Sequence, residues 1–359
     1  MKAALWYGPK DVRIEEVSEP VVKENEVKVK VKWCGICGTD LHEYLAGPIF
    51  IPVDAKHPST GAKAPVILGH EFSGEVVELG KNVTEFKIGD PVVIEPLVTC
   101  GECKACREGN YHLCDGLAFH GLMDLGGGLA EYTTFRKEFV KKLPEGVSYE
   151  KGALVEPLSV ALHAIEVGEL KVNQTAVVVG AGPIGLALIE NLKALGAKNV
   201  IAVELSTKRK EFALKAGADV VLDPREVNVA EEVKKLTNGL GADISFEVTG
   251  VQAGFDTSVD VIRKKGTVVV VSIWEKGVNF NLNNLVMGEK KIVGSVVYGE
   301  GIFDTTIKYL ADGRIKADQL ITKKIHLDDL VKEGFAALTG SDRDSQVKII
   351  VTPDKSLID

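Results

Sequence analysis

Thr175-Ala176-Val177-Val178-Val179-Gly180-Ala181-Gly182-Pro183-Ile184-Gly185 is the stretch whose reading decides the fold. Its first five residues form a continuous apolar run, as expected of a parallel strand covered on both faces. The next six fit G-x-G-x-x-G, a weak pattern alone but specific where it leaves a buried strand and opens a helix. A helical pattern does follow, from Pro183 to Leu195. In that context Gly180 permits a tight turn and Gly182 lets the backbone approach a pyrophosphate, while Gly185 allows close packing of helix on strand. Pro183 and Ile184 open the helix, whose free amides and positive dipole end face the anion.

Working outward, Val200-Ile201-Ala202-Val203 reads as a second strand, and Glu204 ends it nineteen positions beyond Gly185. A carboxylate there accepts hydrogen bonds from an adenosine ribose and repels the extra phosphate of NADP, so NAD is favoured. Arg209 is the complication, because a nearby arginine can also serve a 2′-phosphate. Further strands are expected at Asp219–Leu222, Ile244–Glu247 and Thr267–Val271, with helix-length segments between most of them. Alternating units of this kind build an α/β fold with a doubly wound parallel sheet.

Residues 1 to about 155 have a different texture. Val27-Lys28-Val29-Lys30-Val31-Lys32 alternates strictly, the mark of a strand with one buried face. Gly74–Leu79 and Pro91–Ile94 are similar, and turn signals at Gly80-Lys81-Asn82 and Gly89-Asp90 separate them. A barrel-like β domain with long loops is expected, one of them running from Phe50 to Pro65 without clear period. A chain of 359 residues exceeds one ordinary core, so two domains are expected. After about residue 296 the chain turns mixed and is expected to rejoin the first domain.

A net charge of −8 and a balanced composition argue against nucleic acid as a partner. No apolar stretch approaches the ~18 residues of a membrane span. Met1–Trp6 lacks a signal-peptide layout, so a cytoplasmic location is expected. The six cysteines then favour metal over disulfides. Cys100-x2-Cys103-x2-Cys106-x7-Cys114 is the strongest local signal: four thiolates on one loop, within about 96–116, close a tetrahedral shell around a structural zinc. An iron–sulfur cluster is the lesser alternative. A second group is dispersed: Cys37, His70-Glu71 and Glu156 each lie near the end of an apolar segment. Cys34 and Cys37 also form a C-x-x-C, but without thioredoxin-like context.

Taken in order, Cys34-Gly35-Ile36-Cys37-Gly38-Thr39-Asp40-Leu41-His42, Gly69-His70-Glu71, the four-cysteine loop, Glu156-Pro157-Leu158 and the glycine turn resemble the zinc-containing medium-chain dehydrogenases over nearly the whole chain. The resemblance implies a GroES-like β-barrel catalytic domain (1–156 and 297–359), a Rossmann NAD-binding domain (157–296), and two zincs per subunit. It implies a catalytic zinc held by Cys37, His70 and a glutamate, with Glu71 and Glu156 both candidates. It gives Thr39 a hydrogen bond to the reacting oxygen and His42 a proton relay, with Glu156 alongside. It also implies a small alcohol or hydroxyketone as substrate and a homodimer or homotetramer. Glu71 and Glu156 are more similar to the polyol branch than to simple ethanol dehydrogenases. Leu41–Pro52, the long loop and Ser272-Ile273-Trp274-Glu275 resemble its butanediol-acting members. The runs Thr267–Ile273 and Lys291–Val297 are expected to offer an edge for sheet pairing. The rival of another class is a nucleotide-binding protein without chemistry, against which the joint presence of Cys37, Thr39, His42, His70 and Glu156 argues.

Overall fold

The computed structural model describes residues 1–358. The strands in chain order are β1 (Lys2–Gly8), β2 (Asp11–Glu16), β3 (Glu26–Gly35), β4 (Val66–Ile67), β5 (Glu71–Leu79), β6 (Pro91–Ile94), β7 (Leu97–Val98), β8 (Ala118–Phe119), β9 (Tyr132–Arg136) and β10 (Val140–Lys142). Then follow β11 (Thr175–Val179), β12 (Asn199–Val203), β13 (Val220–Leu222), β14 (Ala242–Glu247), β15 (Ile262–Val270), β16 (Lys291–Gly294), β17 (Ile321–His326) and β18 (Lys348–Thr352).

Two compact units result. The first comprises 1–156, 299–312 and 321–359, and the second 157–298 and 313–320. In the first, β3 is the spine of a sheet ordered β10-β6-β5-β3-β18-β17, with β9 also paired to β3. The alternation of β3 explains its place. Val27, Val29 and Val31 are fully buried, while Lys28 reaches Glu19 at 2.8 Å from the other face. A smaller β2-β1-β4 sheet and the β7-β8 pair complete this unit.

The second unit holds an all-parallel sheet of order β13-β12-β11-β14-β15-β16. The order reverses at β11, which places the switch point of a doubly wound sheet directly before the glycine turn. Ala176, Val177 and Val178 are fully buried, as the apolar run requires.

Some expectations shift. Of the two runs expected to offer an edge, Thr267–Ile273 begins in β15, which lies between β14 and β16, and on that side of the sheet the open edge is β16, within Lys291–Val297. Strand β15 begins earlier, at Ile262, and carries the charged Arg263-Lys264-Lys265 that pattern reading excludes from strands. The tail expected to join the first domain whole from 297 instead leaves 313–320 with the second unit. The cause is Glu190, a buried helix residue. Its carboxylate accepts the Lys316 and Ala317 amides at 3.2 and 3.0 Å and the Gln319 amide nitrogen at 2.6 Å.

Candidate active site

Strand β3 ends at Gly35, and Cys37 caps the helix Gly38–Ala46 that follows. The Cys37 amide donates to the Asp40 carboxylate at 2.9 Å, and the Cys37 sulfur lies 3.6 Å from the Thr39 hydroxyl. His42 stands one turn beyond Thr39 on the same helix and is exposed. His70 enters from the turn before β5. Gly69 has φ +97°, and a Cβ there would meet the Leu129 amide nitrogen at 2.6 Å and the Cys34 sulfur at 2.8 Å, so the turn needs glycine.

Sheet register brings the rest together. Gly35 pairs with Glu71 on one side and with Ile350 of β18 on the other. Ligand atoms of Cys37, His70 and Glu71 consequently lie within 4.8 Å of one another. Glu156 begins the helix Val155–Val167 and is buried. It lies outside that tight trio, yet its charge acts on both Cys37 and Lys348.

Lys348 is the residue that motif reading missed. Its ammonium, 4% exposed, donates to both Glu71 oxygens at 2.8 and 2.7 Å and to the Ile36 carbonyl at 3.1 Å. Burial opposes its charge, but Glu71 and Cys37 hold its pKa above the ordinary value. A signal existed: a single lysine inside Val347-Lys348-Ile349-Ile350-Val351 must be paired if the strand is buried. Asp40 is the other omission. It is fully buried, its Oδ1 has no hydrogen-bond partner, and it stands 3.7 Å from the equally unpartnered Nδ1 of His70. Burial pushes its carboxyl up to about 6.

The donor set fits zinc. A carboxylate facing Nδ1 fixes the histidine tautomer and turns Nε2 outward, the usual support for a metal-bound imidazole. Cys37 needs help to ionise, because burial and then Glu71 push its thiol well above the ordinary value. A divalent cation supplies what one lysine does not. Cys34 does not join. It is fully buried on β3, and it and Cys37 are both free thiols.

The four-cysteine loop is a separate centre. Its sulfurs lie within 4.8 Å of one another. Backbone amides of Cys100, Cys103, Cys106 and Gly116 point at sulfurs from 3.3 to 3.5 Å. The Cys114–Cys100 approach of 3.5 Å excludes a disulfide there. Amide donors aimed at thiolates are what a closed zinc shell needs. The Cys106 amide, the foremost cause, pulls the Cys103 thiol down to about 6, while burial pushes Cys106 up to about 12.

In the second unit the three glycines behave differently from one another. Gly180 has φ +103°, Gly182 has open space where a Cβ would stand, and a Cβ on Gly185 would collide with the Gly180 carbonyl. Turn, approach and packing are thus divided as the fingerprint requires. Pro183 and Ile184 open the helix. Glu204 accepts the Ala181 amide at 2.8 Å and, through its other oxygen, the Leu205 and Ser206 amides at 2.8 Å. Arg209 lies in the first turn of the next helix, its amide held by Ser206.

Residues 23–145 match the alcohol dehydrogenase GroES-like domain and residues 183–312 the zinc-binding dehydrogenase family. The chain is 48% identical to (R,R)-butanediol dehydrogenase of Bacillus subtilis strain 168, covering 99% of this chain and 100% of that one. The chain belongs to the zinc-containing medium-chain dehydrogenases. The crystal structure of 2R,3R-butanediol dehydrogenase from Bacillus subtilis superposes with a TM-score of 0.93 at 48% identity, covering 98% and 99% of the two chains. The NADH complex of an alcohol dehydrogenase from Escherichia coli CFT073 gives 0.87 at 27% identity, covering 98% and 99%. Both halves of this medium-chain dehydrogenase, GroES-like and Rossmann-like, are therefore those of the family.

Proposed function

We propose that the chain is a cytoplasmic, NAD-linked, zinc-dependent dehydrogenase that interconverts (R,R)-2,3-butanediol and acetoin. The observation that carries this reading is the convergence of Cys37, His70 and Glu71 within 4.8 Å, with Asp40 behind the imidazole. End-to-end similarity to a butanediol dehydrogenase supplies the substrate, and the glycine turn with Glu204 supplies the cofactor preference.

Zinc, when bound by Cys37, His70 and one of Glu71 or Glu156, supplies Lewis acidity that favours loss of the alcohol proton. Glu71 lies within the trio but has both oxygens paired with Lys348, while Glu156 lies outside the trio, so both stay candidates for the third position. Thr39, whose Oγ1 lies 3.6 Å from the Cys37 sulfur, offers its hydroxyl as a hydrogen-bond partner to the alcohol oxygen. His42, exposed on the same helix, accepts the proton at a ring nitrogen and releases it to water. A nicotinamide dinucleotide, when held by the Gly180–Gly185 turn and Glu204, would supply the hydride-accepting chemistry, which is the cofactor's own. Cys100, Cys103, Cys106 and Cys114 hold the structural zinc and take no part in turnover.

The assembly we assign is a homodimer or homotetramer. Its support is the open edge of β16, flanked by exposed Leu282, Val286 and Met287. A solution mass of one chain would remove that assignment.

The test is NADH formation with 2,3-butanediol, sorbitol, threonine and ethanol, before and after chelation and zinc restoration. Zinc-restored turnover fastest on butanediol is expected. Fastest turnover on another alcohol would replace the substrate, and turnover indifferent to chelation would overturn the metal role.

A further inference from the structure

At the carboxyl ends of β12 and β13, three charged side chains meet beside Glu204, the residue that would hold the adenosine ribose. Val203 pairs with Leu222, and the Glu204 amide donates to the Leu222 carbonyl at 3.0 Å. Asp223 follows Leu222 and is only 4% exposed. Its carboxylate accepts Lys210 Nζ at 2.8 Å, Arg225 Nε at 3.0 Å, Arg225 Nη2 at 2.6 Å and the Arg225 amide at 2.9 Å. Lys210 comes from the helix Thr207–Ala216, which follows Glu204. Arg225 Nη2 also donates to the carbonyl of Leu205, the residue after Glu204, at 2.5 Å.

Two cations therefore stand beside Glu204, and one buried carboxylate engages both. The Arg225 side chain is 62% exposed, so its fork faces solvent on the side away from Asp223. Glu204, Asp223, Lys210 and Arg225 sum to zero charge. Within this group of four a phosphate dianion meets no net attraction and Glu204 repels it directly, which leaves Arg209 on the following helix as the cation outside the balance.

We propose that Asp223 is a second determinant of cofactor choice: by engaging Lys210 and Arg225 it withholds them from the 2′-phosphate of NADP. This rests on the NAD reading given above. Glu204 excludes the phosphate by repulsion, and Asp223 works against it by occupying two cations beside Glu204. An arginine fork and a lysine ammonium are the usual phosphate partners. Removing Glu204 alone leaves a vacant place whose neighbours are still committed. Removing the Asp223 charge as well releases them. The Asp223 carboxyl is strongly held ionised, foremost by its hydrogen bonds from Arg225 and then by Lys210, so its grip persists throughout the working pH range.

The experiment is calorimetric binding of two nucleotides that differ only in one phosphate, 5′-AMP and adenosine 2′,5′-bisphosphate. It needs no turnover. The native chain is expected to bind 5′-AMP in preference. Glu204→Ser should erode that preference, and Glu204→Ser with Asp223→Asn should bind the bisphosphate about fivefold tighter than Glu204→Ser alone, the scale of one partly exposed ion pair. Adding Arg225→Ala should cancel the gain. Asparagine keeps an acceptor for the Arg225 amide. If that variant does not fold, Asp223→Ser serves the same purpose, and 5′-AMP binding reports the folded site in each. Equal bisphosphate affinity with and without the Asp223 change would overturn the proposal. Failure of the native chain to bind 5′-AMP would overturn the nucleotide-site reading beneath it.

Discussion

The loop around Cys100–Cys114 collects four sulfurs from fifteen consecutive residues. The Cys37 cluster draws its groups from residues 37–40, 70–71, 156 and 348. The first centre is closed by local chain geometry, with amides of its own loop turned toward the sulfurs. The second exists only because β3 is paired on both sides, so that Glu71 and β18 meet at Gly35. A local centre can be complete and chemically idle. One assembled by a sheet holds ionisable groups against their solvation preference, and that tension is what chemistry draws on.

The sharpest way to break this comparison is to remove one sulfur from each centre. Cys37→Ser should lower turnover by at least about a thousandfold, the scale of losing a Lewis acid. Its melting temperature and nucleotide binding should stay close to native. Cys103→Ser should do the opposite, lowering the melting midpoint by about 10 °C while the folded fraction keeps its turnover. The measurements are zinc content, melting and kcat on the same samples. Loss of turnover without loss of stability in Cys103→Ser would erase the distinction.

Lys348→Met comes next. It leaves Glu71 as a buried carboxylate without its cation, which costs about 3–5 kcal/mol. The loss should be large in zinc-free protein and smaller in zinc-loaded protein, because the metal then provides the missing positive charge. Chemical denaturation with and without zinc decides it. An identical loss in both states would mean that Lys348 serves the fold alone and not the metal cluster.

How far each centre could be read from sequence follows the same division. The spacing of the four cysteines is itself the geometry, so the closed centre was legible directly, as was the turn at Gly180–Gly185, where strand, glycines and helix are contiguous. Cys37 and His70 could be named through their motifs, but nothing in their spacing places Glu71 opposite Gly35. That fact belongs to register. Lys348 carries no motif, and its only trace is a charge in an apolar run. Glu190 was invisible for the same reason. It lies inside a helical pattern, and its partners at 316–319 are more than a hundred residues away. Asp223 reads as an ordinary turn residue until β12 and β13 are set side by side.

The smallest effect concerns how the cysteine loop is tied to the sheet beneath it. Tyr111, within that loop, donates its hydroxyl to Glu95 at 2.6 Å, and Glu95 is 2% exposed just after β6. Burial pushes the Glu95 carboxyl above its ordinary 4.5, Asp304 and Glu300 add to the push, and Tyr111 and Lys141 oppose it. The folded state therefore keeps a proton that the unfolded chain releases as pH rises above 4.5, and stability declines over that interval until the folded group has ionised. Glu95→Gln retains an oxygen for Tyr111 and has no charge to bury, so it lacks this decline. Its melting midpoint relative to native should rise between pH 4.5 and neutrality, by about 2 °C. A relative midpoint that falls over that interval would show that the ionised Glu95, through Lys141, holds the loop more firmly than the neutral side chain does. The loop's attachment would then be electrostatic, and the contrast between a self-contained centre and a sheet-built one would narrow.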